Sequence, residues 1–366
     1  MRLNNICLRD FRNYENLTLD FEPGVNLIVG DNAQGKTNLL EAIAYLGSGK
    51  SFRALKTSEM VRFNADFADI EGSVYSQERE QVLRWVLFSG SRPRQIWRNG
   101  AKKKTAADIS GVMSTVLFCP EDLMVLKSGA AARRRLGDSA LCQLRPNYDA
   151  ALMEYNRILD QKSRILKDHF ENPAVLEILP EYNTRLCQVG ALLISYRARF
   201  YDSLGKAAAE YHSQFSGGSE DFSLEYKTVS TVSDPFAPVK VLTEELLSHL
   251  EAHHRAELET GQCLTGPHKD DFTVSLSGID LKAYGSQGQT RTAAISLKLA
   301  QRELMKRESG EEPVLLLDDV LSELDPGRQD FVLNQIVSGQ VFITCCEPGR
   351  FTKLGKTIEI CRGTVK

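Results

Sequence analysis

The chain has 366 residues, 42% hydrophobic and 25% charged, a balance typical of soluble globular proteins and enough for two or three domains. A formal net charge of −3 excludes a general polycation, so any nucleic-acid surface has to be local. No apolar run approaches the ~18 residues that cross a bilayer, and no secretory core follows Met1. Its 8 cysteines lack a C-x-x-C pair, which favours free thiols in a reducing cytoplasm over disulfides or zinc.

In chain order, residues 1–29 read as a β-meander. Ile6 and Leu8 alternate, Leu17, Leu19 and Phe21 follow, and residues 25–29 form a short apolar run. Asp10-Phe11-Arg12-Asn13-Tyr14 puts Arg12 and Asn13 on a loop. Gly30-Asp31-Asn32-Ala33-Gln34-Gly35-Lys36-Thr37 then fits G-x-x-x-x-G-K-[ST] at every fixed position. Glycines let backbone N–H groups approach phosphate oxygens. Lys36 suits the β- and γ-phosphates and should face solvent without nucleotide; the Thr37 hydroxyl suits Mg²⁺. Leu39, Leu40, Ile43 and Leu46 signal a helix whose positive end faces the same anion.

Gly47 to Arg53 reads as a Gly/Ser loop, and residues 68–98 as antiparallel strands. Asn99-Gly100 is a hairpin turn, followed by Lys102, Lys103 and Lys104. Val116-Leu117-Phe118 reads as a buried strand ending near Glu121. From residue 130 the pattern is helical. Leu152, Tyr155, Leu159 and Leu166 mark one stripe; Leu186, Val189, Leu193, Tyr196, Phe200 and Leu204 mark a second, ending at Gly217-Gly218. Together they predict an antiparallel helical arm. Phe222 to Tyr226 alternates like a strand, and Thr243 is the expected N-cap of a helix to Leu258. His249 and His253 share a face of that helix, but their H-x-E-x-H spacing is not that of a zinc protease.

The last third repeats the theme of phosphate chemistry. Ser286-Gln287-Gly288-Gln289 leads into an apolar-striped helix, and Val314-Leu315-Leu316-Leu317 ends in Asp318-Asp319. A carboxylate at the end of a buried strand beside a phosphate loop can hold Mg²⁺. Ser322-Glu323-Leu324-Asp325 follows. In order, these pieces resemble the Walker A, signature, Walker B and D-loop motifs of ABC-type ATPases, with Gln287 in place of a signature glycine. The 249 positions between Thr37 and Ser286 exceed a transporter subunit's spacing and point to the SMC/Rad50 branch. Over nearly its full length the chain resembles the RecF family of bacterial recombination mediators. The matching pieces also include Ser51-Phe52-Arg53, Pro120-Glu121-Asp122-Leu123, Arg133-Arg134-Arg135 and Gly266-Pro267-His268-Lys269-Asp270-Asp271. Departures are Gly137, where a bulky apolar residue is expected, and Cys345-Cys346 after Thr344, where more threonines are expected. No switch histidine is present, which leaves open whether Thr344 senses the γ-phosphate.

The resemblance implies an α/β ABC-type ATPase head with mixed sheets and an inserted α-helical arm: residues 1–129 and 259–366 as head lobes, 130–258 as the arm. It implies ATP and Mg²⁺ as cofactors. Residues 30–37, with Arg12 and Asn13, would hold nucleotide; Thr37 and Asp318 would hold metal; Asp319, Gln34 and Lys36 would be catalytic. Ser286, Gly288 and Gln289 would act from the second subunit of an ATP-dependent homodimer, beside the D-loop residues Ser322 and Asp325. The implied partners are RecR and gapped or junction DNA, with RecO in the same pathway, RecA as the protein loaded, and no membrane. Hydrolysis would be slow and DNA-stimulated. Residues 92–167 carry 15 Lys and Arg against 7 Asp and Glu, a net +8 that leaves −11 elsewhere. This nominates Lys102, Lys103, Lys104, Arg133, Arg134 and Arg135 for DNA phosphates. The competing readings are less well served. A Rad50-like tether needs a longer coiled coil than residues 140–215 offer, a transporter subunit would lack the insertion, and an OLD-type nuclease needs a further catalytic domain.

Overall fold

The alternating residues near the N-terminus form paired strands, and the all-apolar runs form a second, buried sheet. The computed structural model describes all residues except 337, 348 and 366. Strands β1 (Arg2–Phe11) and β2 (Tyr14–Asp20) make a hairpin turning at Arg12-Asn13. After β3 (Val25–Val29) and helix α1 (Lys36–Ser48) come β4 (Phe67–Ser76), β5 (Arg79–Phe88), β6 (Gln95–Arg98) and β7 (Ala101–Lys103). These complete an antiparallel sheet of order β2-β1-β4-β5-β6-β7. The expected meander is corrected at β3, which pairs in parallel with two strands from the far end of the chain. Its four buried residues in a row suit a parallel sheet covered on both faces, not a half-exposed hairpin. Strand β8 (Thr115–Phe118) joins that sheet at one edge.

A helical segment follows: α2 (Ala130–Leu144), α3 (Pro146–Asp168), α4 (Leu179–Ser216), β9 (Phe222–Lys227), α5 (Val239–Thr260), β10 (Asp271–Leu276), β11 (Ile279–Asp280), α6 (Leu281–Tyr284) and α7 (Gln287–Ser309). Then β12 (Val314–Asp318), α8 (Pro326–Gln335), β13 (Val341–Cys345), β14 (Gly355–Cys361) and β15 (Thr364–Val365) finish the second sheet, order β15-β14-β3-β13-β12-β8. Helix α1 touches β1, β4 and β5 of one sheet and β8, β12 and β13 of the other. Its buried set runs almost without interruption from Leu39 to Gly47, the mark of a helix packed on all sides.

Two compact units result: a head, residues 1–123 with 294–366, and a helical unit, residues 124–293. The second boundary lies inside α7, later than the 258/259 division expected. The reason is that β10 pairs with β9 along its whole length, so Gly266 to Asp271 and the signature belong with the helices. The Gly-Pro-His-Lys-Asp-Asp run is the hub of that unit. Asp271 pairs with Arg133 of α2 at 2.6 Å, His268 meets Tyr155 of α3 at 2.7 Å, and Asp270 pairs with Arg197 of α4 at 2.9 Å. Helices α3 and α4 are antiparallel, with Glu154 on Arg185 and Tyr148 on Arg197. Yet α4 also packs on β9 and α5, so it is the spine of a folded unit more than a bare arm. Helix α5 starts four residues before the expected N-cap. Thr243 instead donates from within the helix to the Val239 carbonyl.

Candidate nucleotide site

The loop between β3 and α1 has the shape its glycines allow. Gly30 has φ 153°, and a Cβ there would stand 2.3 Å from the Ile360 carbonyl oxygen. Gly35 has φ 122°, and a Cβ there would meet the Asn13 amide at 2.7 Å. Neither site tolerates a side chain. Ala33 adopts φ 64°, uncommon for a residue with Cβ. Three outside groups hold the loop. Asn13 Nδ2 donates to the Gln34 carbonyl at 2.8 Å, the Tyr14 hydroxyl donates to the Gly35 carbonyl at 2.9 Å, and the Gly363 N–H donates to the Gln34 carbonyl at 3.0 Å. At the head of α1 no side chain caps the first turn and no acidic residue occupies it. Its N–H groups and dipole are therefore available to an anion.

Lys36, expected to face solvent, is instead buried, its Nζ donating to the carbonyls of Gly30 at 2.7 Å and Asp31 at 3.0 Å and lying 3.3 Å from Cys346 Sγ. The ammonium is curled into the loop it serves. The Thr37 hydroxyl donates to Asp318 Oδ1 at 2.9 Å, which brings the loop and the end of β12 together. Thr344, at the end of neighbouring β13, donates to the same oxygen at 2.9 Å and accepts the Asp319 N–H at 2.9 Å. Burial pushes both carboxyls above the usual range, against the Thr344 and Thr37 donors for Asp318 and against Lys36 for Asp319. Thr37, Asp318 and the loop thus supply the hard oxygen donors and the anion cradle that Mg²⁺ and a triphosphate need.

Other expected residues are tied into the fold by contacts of their own. The Arg12 guanidinium forks onto the fully buried Glu41 carboxylate at 2.8 Å on both arms and donates to the Glu59 carbonyl, so it braces α1. Gln34 Oε1 accepts the Arg362 N–H at 2.6 Å, tying the loop to the β14–β15 turn. Cys346 Sγ lies 3.0 Å from Asn32 Oδ1. Ser322 donates to the Asp319 carbonyl, and Asp325 is the N-cap of α8, accepting from the Arg328 N–H with Pro326 at the first turn. Within the helical unit, Ser286 and Gln289 cap the head of α7 reciprocally, and Gly288 accepts from the Thr292 hydroxyl at 3.0 Å. Glu121 is exposed at the end of β8.

The basic candidates separate sharply. Lys102 and Lys104 are exposed and Lys103 is half-buried on the β6–β7 hairpin. Arg135 is exposed and Arg134 donates to the Asp270 carbonyl. Arg133 is 1% exposed and locked on Asp271, which removes it from any DNA surface. The sequence assigns no role to Glu41 or Tyr14 and leaves that of Thr344 open. Thr344 and Tyr14 reach the site through strand pairing and a hairpin, which no local pattern spells out.

A family model described as the RecF/RecN/SMC N-terminal domain matches residues 2–365. A DNA replication and repair protein RecF from Agathobacter rectalis is 39% identical, over 100% of this chain and 99% of its own length. The chain belongs to the RecF family. A solved structure described as "the recombination mediator protein RecF-ATPrS in RecFOR pathway" superposes with TM-score 0.91 at 33% identity, covering 100% of this chain and 97% of that one. An Smc head bound to the winged-helix domain of ScpA gives TM-score 0.57 at 17% identity, covering 100% and 96%, a likeness of fold alone. The RecF-family chain therefore has the ABC-type ATPase head expected, with mixed α/β sheets around the phosphate loop.

Proposed function

We propose that this chain is an ATP-driven recombination mediator of DNA repair and replication restart. In this reading it dimerises with ATP on gapped DNA or single-/double-strand junctions. It acts with RecR and the RecO pathway to direct RecA loading, and slow DNA-stimulated hydrolysis resets it. The observation that carries the reading is the Thr37–Asp318 bond of 2.9 Å on a glycine-shaped loop at an uncapped helix N-terminus. The description of a similar structure as RecF-ATPrS in the RecFOR pathway supports it.

The residues then divide the work. Lys36 exchanges the carbonyls of Gly30 and Asp31 for phosphate oxygens, a change to stronger charge-assisted bonds. Thr37 and Asp318 would hold Mg²⁺, which would supply charge neutralisation to the phosphates. Asp319 takes a proton from the attacking water; its raised pKa makes it a better base, while its short side chain limits reach and keeps turnover slow. Gln34 orients that water. Ser286, Gly288 and Gln289 of a second copy present the head of α7 to the γ-phosphate. The test is solution mass and ATP affinity, with and without ATP and gapped DNA. Wild type should dimerise with ATP and bind gapped DNA only then. Lys36→Ala should lose ATP binding and, having left two carbonyls unpaired, about 1 kcal/mol of stability. Equal ATP affinity in the two proteins would sink the proposal.

A further inference from the structure

The signature is built into a closed circuit of polar side chains within the helical unit. Gln289 N–H donates to Ser286 Oγ at 3.2 Å, and Ser286 N–H donates to Gln289 Oε1 at 3.1 Å. This is a capping box. It fixes the orientation of the Gln289 amide, since Oε1 is committed to Ser286 and only Nε2 is left to donate. Nε2 donates to Glu220 Oε1 at 2.8 Å. The other carboxylate oxygen, Oε2, lies 2.9 Å from His212 Nε2. His212 is fully buried in the last turns of α4, its ring 5.5 Å from that of Phe222, and its Nδ1 has no partner. Facing a carboxylate oxygen, which only accepts, Nε2 carries a hydrogen. His212 therefore donates to Glu220, which accepts from both sides.

We propose that Glu220 is a positioning residue for the signature: one carboxylate holds the Gln289 amide, and through it the Ser286 hydroxyl, in register with the end of α4. This rests on the reading that Ser286 serves the nucleotide of a second copy. Glu220 itself touches no nucleotide in this scheme. A carboxylate is required because it accepts twice. A glutamine at 220 has one acceptor oxygen and must turn its NH₂ toward either His212 or Gln289. Facing Gln289 it opposes donor to donor and flips the signature amide away from Ser286. Facing His212 it forces the other tautomer and buries an unpaired Nδ1–H.

Exchanging the two side chains restores the pattern of donors and acceptors. In Glu220→Gln/Gln289→Glu, the carboxylate at 289 accepts from both the Ser286 N–H and the new amide at 220. The oxygen at 220 accepts from His212, and the circuit closes again with charge conserved. The experiment measures ATP affinity, ATP-dependent dimer mass and steady-state hydrolysis for wild type, Glu220→Gln and Ser286→Arg, and nucleotide-free unfolding for wild type, Glu220→Gln and the swapped double variant. Glu220→Gln should keep ATP affinity within about twofold, because Lys36 and Thr37 are untouched, and lose about tenfold or more in hydrolysis and dimer formation. Because Gln289 is itself placed at the γ-phosphate of a second copy, the double variant is read by unfolding without nucleotide: it should recover the stability lost in Glu220→Gln, a coupling that two independent changes would not show. Wild-type hydrolysis in Glu220→Gln, or no recovery of stability in the swap, overturns the inference. If Ser286→Arg also dimerises and hydrolyses normally, the shared-site reading itself has failed. If Ser286→Arg is inactive and Glu220→Gln is not, only the role of Glu220 has failed.

Discussion

At the scale of single residues, Thr344 is the hinge between the two Walker-B carboxylates. Its one hydroxyl donates to Asp318 and accepts from the Asp319 N–H, a backbone group held at φ 51°. Thr344→Val keeps the shape and deletes both bonds. The unpaired N–H should cost roughly 1–3 kcal/mol in thermal or denaturant unfolding, and hydrolysis should fall more than ATP affinity. Thr344→Ser should restore both. Asp318 gives a pH test. Because burial raises its folded pKa above the reference 3.8, the folded state holds that proton more tightly than the unfolded chain. Its contribution is most favourable below 3.8 and is lost as pH rises through the raised value. Asp318→Asn should therefore stabilise the nucleotide-free protein by ~1 kcal/mol near neutral pH, with the gain vanishing in acid, while hydrolysis is lost. A melting-temperature series against pH checks the sign.

At the scale of elements, helix α2 shows what a sequence discloses and what it hides. Arg133, Arg134 and Arg135 look alike in a row, but Arg133 shares the buried face with Leu136, Gly137, Ala140 and Leu141 at helical spacing. That phase is available in the sequence, whereas charge alone does not separate the three arginines. Gly137 was not decipherable locally. A Cβ there would sit 2.5 Å from the hydroxyl of Tyr201, whose ring comes from α4, so the space left by Gly137 is filled from a second helix. Gly137→Leu should overpack this site and cost about 1–3 kcal/mol or more. Adding Tyr201→Ala should recover part of that loss, a coupling that a double-mutant cycle of unfolding free energies measures. The positions of the loop before α1 and of β12 were legible because their patterns are written in eight and five consecutive residues, whereas the burial of Lys36 was not. The assignment of β3 to the second sheet and the late boundary in α7 were not, because β3 pairs with a strand 316 positions away and β10 with one 44 to 54 positions back.

At the scale of the whole molecule, the net +8 of residues 92–167 overstates the positive surface. Arg94 donates to the Tyr45 hydroxyl, Arg98 to Gln81, Arg133 pairs with Asp271, and Lys162 is buried on Glu257 at 2.6 Å. What remains in solvent is spread over both units: Arg92, Lys102 and Lys104 on one, and Arg135, Arg145, Arg157, Arg164 and Lys167 with half-covered Arg134 on the other. A protein of net −3 that binds DNA must do so through such patches, and binding through phosphates releases counterions in proportion to the phosphates neutralised. Replacing Lys102, Lys103 and Lys104 with glutamine should weaken ATP-dependent binding to all DNA sequences alike. It should also flatten the slope of log affinity against log salt by about one unit for each phosphate no longer neutralised. Arg134→Gln/Arg135→Gln should do the same on a smaller scale. Arg133→Ala is the control with the opposite signature. It should destabilise the helical unit by roughly 2–3 kcal/mol, less than a fully buried pair because Asp271 keeps 25% of its side chain exposed. The salt slope of the protein that remains folded should not change. DNA titrations at four salt concentrations, beside unfolding curves for each variant, separate the two effects. Unchanged slopes in both cluster variants would move the DNA surface away from these cations while leaving the nucleotide site intact.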